Sequence, residues 1–106
     1  MARNQQNAFL SDEQIIDLYF AREERAIAET DKKYSAYLHT VAFNILSNEQ
    51  DTEECLQDTY LRVWNAVPPE RPRSFPAFLV KITRNLSLHR YETEHRKKRV
   101  PSASCV

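Results

Sequence analysis

No glycine occurs among the 106 residues of the chain, where average usage of roughly 7% would supply several. Glycine takes positive φ without strain and lets a backbone come close to a ligand. Phosphate-cradling loops of the Walker and Rossmann types depend on it, so those nucleotide-binding enzymes are excluded. Tight two-residue hairpins lean on it as well. With 42% hydrophobic residues, what remains is helices joined by short connections. The expected fold is all-α, a compact bundle of about four helices with no sheet.

Length allows one domain with one modest core. No run of about 18 apolar residues occurs, so no membrane span is expected. The start, MARNQQNAF, lacks the apolar stretch of a signal peptide. Cys55 and Cys105 are far apart, which argues against a disulfide framework and for a reduced, cytoplasmic setting. Net charge is zero but unevenly placed. Residues 1–70 carry six basic and thirteen acidic side chains, and residues 71–106 carry nine basic and two acidic. Such polarity is a statement about partners: the C-terminal third is suited to a polyanion.

Ser11-Asp12-Glu13-Gln14 reads as a capping box opening a first helix, with Ile15, Ile16, Leu18 and Tyr19 on its apolar side. The pattern breaks at Arg22-Glu23-Glu24-Arg25. A longer helix then runs to about Leu46 on the stripe Ile27, Tyr34, Tyr37, Leu38, Val41, Ala42, Ile45 and Leu46. Asn48 is expected in the left-handed closing position that glycine usually fills. Asp51-Thr52-Glu53-Glu54 reads as a second capping box. It precedes a third helix striped by Cys55, Leu56, Thr59, Tyr60, Val63, Trp64 and Val67. Pro68-Pro69 ends that helix. Ser74 can cap a fourth, with Pro76 in its first turn. Phe75, Phe78, Leu79, Ile82, Leu86 and His89 form its inward stripe, and it frays over residues 95–99. The reading gives a tail over residues 1–11, a helical domain over 12–99, and a tail or linker start over 100–106.

No set of residues converges for catalysis, so an enzyme is not expected. His39 reads as a surface or boundary side chain. Glu92-x-x-His95 has the spacing of a carboxylate–histidine metal pair, but di-metal bundles need that pair twice with two further carboxylates. Cys-x-x-Cys is absent. No metal or cofactor is expected. The fourth helix interleaves aromatic and basic residues, Phe75, Phe78, Lys81, Arg84, Asn85, Arg90 and Tyr91. Cationic grooves with stacking and hydrogen-bonding side chains are how single strands are held, and Arg and Asn read base edges.

DTEECLQDTYLRVWNAV followed by SFPAFLVKITRNLSLHRY resembles region 2 of the extracytoplasmic-function (ECF) group of sigma-70 RNA polymerase sigma factors. The pieces are Glu54, Leu56-Gln57-Asp58, Leu61-Arg62-Val63-Trp64, Ser74-Phe75-Pro76-Ala77-Phe78-Leu79 and Ile82-Thr83-Arg84-Asn85. The preceding helix, residues 33–46, is similar too, so the resemblance spans roughly residues 12–99. It implies a transcription-initiation factor, with core RNA polymerase and promoter DNA as partners. Glu54, Gln57, Asp58, Leu61 and Arg62 would dock on the β′ clamp helices. Residues 68–74 and the fourth helix would hold the non-template single strand of the −10 element, with one base flipped out, and help to melt it. DNA contacts are expected from Arg71, Arg73, Ser74, Arg84, Asn85, His89, Arg90, Arg96 and Lys97. The resemblance makes an anti-sigma factor a further partner, and it implies that a region 4 reading the −35 element is missing. Three positions depart from the family pattern: His89 where Asp is frequent, Glu92 where Arg is common, and Phe78 where Trp is usual.

Two other readings follow from the residues alone. One is a duplex-binding helix-turn-helix, for which the turn at residues 47–50 is short enough but the next helix starts acidic, which repels phosphate. The other is a helical adaptor without nucleic acid. The favoured reading expects the acidic docking face and the cationic DNA-gripping end to lie apart on the folded chain.

Overall fold

The computed structural model describes the backbone of residues 9–104 and the side chains of residues 9–95. Four helices follow in chain order: α1 (Asp12–Phe20), α2 (Arg25–Leu46), α3 (Glu49–Ala66) and α4 (Phe75–Ser104). There is no strand among the described residues, and the fold is the all-α bundle that the missing glycines imply.

α1 begins as its sequence requires. Ser11 Oγ accepts a hydrogen bond from the Gln14 N–H at 3.1 Å, and Gln14 Oε1 accepts one from the Ser11 N–H at 2.9 Å. The capping box thus satisfies two of the orphan donors at the helix start. The break expected at residues 22–25 is also there, a turn between α1 and α2.

A glycine-free chain must place other residues in the left-handed region, and this one uses Arg22 (φ 57°) and Ser47 (φ 52°). The second corrects the expectation for Asn48. Ser47 closes α2, its N–H donating to the Phe43 carbonyl at 2.8 Å. Asn48 is extended and caps the start of α3, its side chain accepting from the Asp51 N–H at 2.8 Å. With only two residues between the helices, the stronger preference of an Asn side chain for an N-cap puts the αL residue one position earlier. Asp51 therefore lies inside the first turn of α3 and does not open a capping box. Glu49 and Asp51 in that turn complement the positive end of the helix dipole.

α3 buries Cys55, Leu56, Thr59, Tyr60 and Val63, with Val67 just past its end and Trp64 partly covered. That is the stripe read from the sequence, to which the structure adds buried Thr52. α1 contributes Ile15, Ile16 and Tyr19 to the core, and α2 contributes Ala26, Thr30, Leu38 and Ala42. Tyr37, assigned to the α2 stripe, is instead 54% exposed: it sits one step round the helix from Leu38.

The buried line of α4 is Phe75, Leu79, Thr83 and Ser87, an i, i+4 row. The expected stripe is corrected accordingly. Phe78, Ile82 and Leu86 lie on its flank, half-buried, and His89 is exposed. Counting apolar residues misses this row because half of it is hydroxyls. Thr59 and Thr83 share a hydrogen bond at 3.1 Å, and the Cys55 thiol lies 3.2 Å from Ser87 Oγ. Thr59 and Ser87 also donate to carbonyls one turn back, those of Cys55 and Thr83. The polar atoms of this α3–α4 seam are therefore paired, as burial demands, and small side chains let the two helices close up. Burial pushes the Cys55 thiol up from its ordinary pKa.

At one end of the bundle Tyr19 packs on Trp64 and Phe75, each centroid 6.1 Å away, and Tyr34 packs edge-on to Phe75 at 6.0 Å. Phe75 is 1% exposed, so it anchors the α4 start and is not a platform for bases. α4 runs on to Ser104, past residues 95–99 where fraying was expected. The run Arg96-Lys97-Lys98-Arg99 consists of straight-chain residues that lose little freedom in a helix.

Candidate functional site on α3 and α4

Glu54, Gln57, Asp58, Leu61 and Arg62 recur at steps of three and four, so the helix period sets them on one face of α3, and all five are exposed. Leu61, at 58% exposure, is the most exposed large hydrophobic side chain among the described residues. An apolar side chain ringed by Gln57, Asp58 and Arg62 is the composition of a small protein-docking face.

On α4, Arg84, Asn85 and His89 are exposed, as is Lys81. Asn85 and Lys81 line a hollow with Phe78, Arg62 and Glu70. Next to it lies one bordered by Asp58, Leu61, Arg62, Asn65 and Leu86. A third, with His89, Arg90, Thr93 and Cys55, shares Asp58 and Leu86 with it. Together they form a groove between α3 and α4. One wall carries residues expected to meet the polymerase, and the other carries residues expected to meet DNA. Lys81 and Asn65 in this groove were not among the expected contacts.

Arg90 corrects the expected separation of the two surfaces most directly. Its guanidinium lies 3.0 Å from Glu54, 3.6 Å from Asp51 and 3.8 Å from Asp58. The acidic α3 face and this α4 cation form one cluster, because the two helices pack side by side along the hydroxyl seam. The segment from 68 to 90 is nonetheless open to solvent at Glu70, Arg71, Arg73 and Ser74.

Other expected contacts have structural partners of their own. Arg71 Nη2 is 2.7 Å from Asp17 on α1, with its guanidinium 5.1 Å from the centre of the Phe20 ring. Ser74 Oγ accepts from the Ala77 N–H at 3.3 Å, the capping role read from the sequence. Arg62, Arg73, Lys81 and Arg84 have no ion-pair partner among the described residues. Arg96 and Lys97 lie outside the residues whose side chains are described, as does Cys105.

The sequence did not single out Arg22. From its left-handed turn it donates to the carbonyls of Val67 (2.8 Å) and Trp64 (3.1 Å), with its guanidinium 3.7 Å from the Trp64 ring centre. It fastens the α1–α2 turn to the end of α3, where the loop over residues 67–74 begins. The only signal was the broken apolar pattern at 22–25. His39 is half-buried as read. It bonds Glu49 at 3.0 Å and stacks on Phe43, and Glu53 stands beside the pair.

Buried phenols complete the electrostatics. Tyr19, bonded to Thr30 at 2.7 Å, is pushed up to about 12 by desolvation. Tyr60 and Tyr34 are raised by burial first and then by their bonds to Asp31 and Asp12.

The profile of the Sigma-70 region 2 family matches residues 31–97, more than half of the chain and all of α3. Among curated proteins, an ECF RNA polymerase sigma factor, SigE, of Mycolicibacterium smegmatis is similar, 30% identical over 57 residues. The match covers 54% of this chain and 22% of that protein, so the chain corresponds to a small part of its relative's length. No solved structure matches.

Proposed function

The chain belongs to the Sigma-70 region 2 family, and from that premise we propose that it seats on the β′ clamp helices of core RNA polymerase through the exposed face of α3 and holds the unpaired −10 strand with α4 and the loop before it. The family ties the chain to transcription initiation, a task of binding, not of catalysis. The observation that carries the finer reading is the α3–α4 groove. Leu61 and Arg62 line one side, with Gln57 exposed on the same helix, and Lys81 and Asn85 line the other, with Arg73 and Arg84 exposed on the loop and helix that carry them.

A single strand bound here shifts the opening equilibrium of the promoter, because only the melted state presents it. Each base held by stacking or a good pocket contributes about 1–3 kcal/mol, so a few contacts offset a few opened pairs. Half-buried Phe78 supplies an aromatic edge in the groove, and Asn85 supplies paired donor and acceptor atoms. A cytoplasmic setting follows from these partners, and no helix among the described residues is long and apolar enough to cross a membrane. An anti-sigma factor covering the same α3 face would block docking by simple occupation.

Retention on immobilised core polymerase tests the docking half. Wild type is retained, and Gln57→Ala and Asp58→Ala are retained less. Equal retention of all three removes the α3 assignment. Anisotropy with single-stranded and duplex −10 oligonucleotides tests the other half: preference for the single strand, with affinity falling steeply with salt, is expected. Preference for duplex would favour a helix-turn-helix reader, and binding to neither an adaptor.

A further inference from the structure

We propose that Arg90 is a nucleic-acid contact held in reserve: the α3 carboxylates neutralise it in the free chain, and a basic partner surface that engages those carboxylates releases it to a phosphate. This rests on the reading above that the α3 face docks a partner. The geometry is asymmetric in a useful way. Three carboxylates, Asp51, Glu54 and Asp58, surround one guanidinium at 3.6, 3.0 and 3.8 Å. The four side chains together carry net negative charge, so a phosphate approaching Arg90 meets repulsion. The Arg90 side chain is 28% exposed, whereas those of Glu54 and Asp58 are 51% and 56% exposed. A partner reaches the acids before anything reaches the arginine.

Ion pairs this exposed are individually weak, so cations from a partner can compete for the same carboxylates. Arg90 lines a hollow with His89 that shares Asp58 and Leu86 with the next one, which in turn shares Arg62 with the hollow of Lys81 and Asn85. A strand laid along this run of hollows would bring a phosphate within reach of a freed guanidinium. Coupling of this kind is reciprocal: whatever factor the partner adds to strand affinity, the strand adds to partner affinity. Docking on the polymerase and gripping the promoter would then reinforce each other through a single side chain.

The test measures the affinity of a labelled −10-like single strand for the full 106-residue chain, alone and with core polymerase. In the free chain Arg90→Ala should change affinity by less than about twofold, since the charge is already spent on α3. In the polymerase complex it should weaken binding about three- to tenfold, the size of one lost phosphate contact at moderate salt. The isosteric Glu54→Gln/Asp58→Asn pair should tighten strand binding by the free chain about three- to tenfold, with a steeper salt dependence. Adding Arg90→Ala to that pair should abolish the gain. Thermal melts establish that each variant is folded, and Glu54→Gln alone serves if the pair is not. A gain that survives Arg90→Ala, or no gain at all, overturns the reserve role while leaving the proposed function intact. An Arg90→Ala loss equal in the free chain and the complex also overturns it. Failure of the wild type to bind core polymerase removes the proposed function itself and this coupling with it.

Discussion

Replacing Arg22 by alanine removes a fastening that the structure loads heavily. The guanidinium donates to Val67 O at 2.8 Å and Trp64 O at 3.1 Å, and reaches Tyr19 O at 3.5 Å. The first two are carbonyls at the C-terminal end of α3, where orphan acceptors gather and a cation is favoured by the dipole. A hydrogen bond to a charged group contributes about 1.5–3 kcal/mol when shielded. The Val67 bond is part-buried and the Trp64 bond is exposed, so the shielded value applies to one of them. Stacking on the Trp64 ring adds about 0.5–1 kcal/mol. Together the loss in Arg22→Ala is about 2–4 kcal/mol, and for a domain of this size about 4–8 °C of melting temperature accompanies each kcal/mol. Two further variants separate the causes. Arg22→Gly loses the same bonds but relieves the left-handed strain at φ 57°, so it should exceed alanine by about 1 kcal/mol. Arg22→Lys keeps the charge without the fork, and should fall between wild type and alanine. Thermal and denaturant melts followed by circular dichroism decide it. Arg22→Ala within about 0.5 kcal/mol of wild type, or alanine more stable than glycine, refutes the reasoning.

Three further outcomes are expected. Tyr19 ionises at about 12 in the fold against 10.0 unfolded, so the unfolded chain releases its proton first: stability holds below about pH 10 and falls between about pH 10 and 12, by about 3 kcal/mol for this group; alkaline denaturation checks it, and Tyr19→Phe should flatten that slope. Thr83→Val removes the hydroxyl that Thr59 shares at 3.1 Å in the seam and should cost about 1–2 kcal/mol, read from denaturant midpoints. Lys81→Ala and Arg84→Ala should each lower the slope of log affinity against log salt for single strands by about 0.7 if each meets a phosphate; unchanged slopes would remove them from the strand path.

The helices of this chain were readable because their apolar residues recur at a helical period and their starts are signed by Ser11 and Ser74. α3 was read correctly from Cys55 to Val63, and the reading missed buried Thr52, whose charged neighbours Asp51 and Glu53 hide it from an apolar pattern. α4 was read a step off its true line, because Thr83 and Ser87 bury as well as leucine once their hydroxyls are paired, Thr83 with Thr59 and Ser87 with the Thr83 carbonyl, and a hydropathy pattern gives them no weight. The Asn48 cap was displaced by one residue for a similar reason: Ser47 and Asn48 each fit two roles, and the shortness of the turn decides between them. For the candidate site, sequence gave the exposed faces and left their neighbours unknown. Arg90 reads as one more cation in a basic segment, and only the packing of α4 on α3 sets it against Glu54. Arg22 was illegible for the same reason, since its partners lie 42 and 45 residues away.

The central claim is that α3 presents a docking face for core polymerase, and Leu61 offers its cleanest measurement. Tyr37 on α2, at 54% exposure against 58% for Leu61, is a matched control outside that face. Equilibrium affinity for core polymerase should fall about tenfold or more in Leu61→Asp, as for a central anchor, and stay within about twofold of wild type in Tyr37→Asp, as for a surface position away from the interface. Equal affinities for the two variants, or a larger loss at Tyr37, would contradict the account.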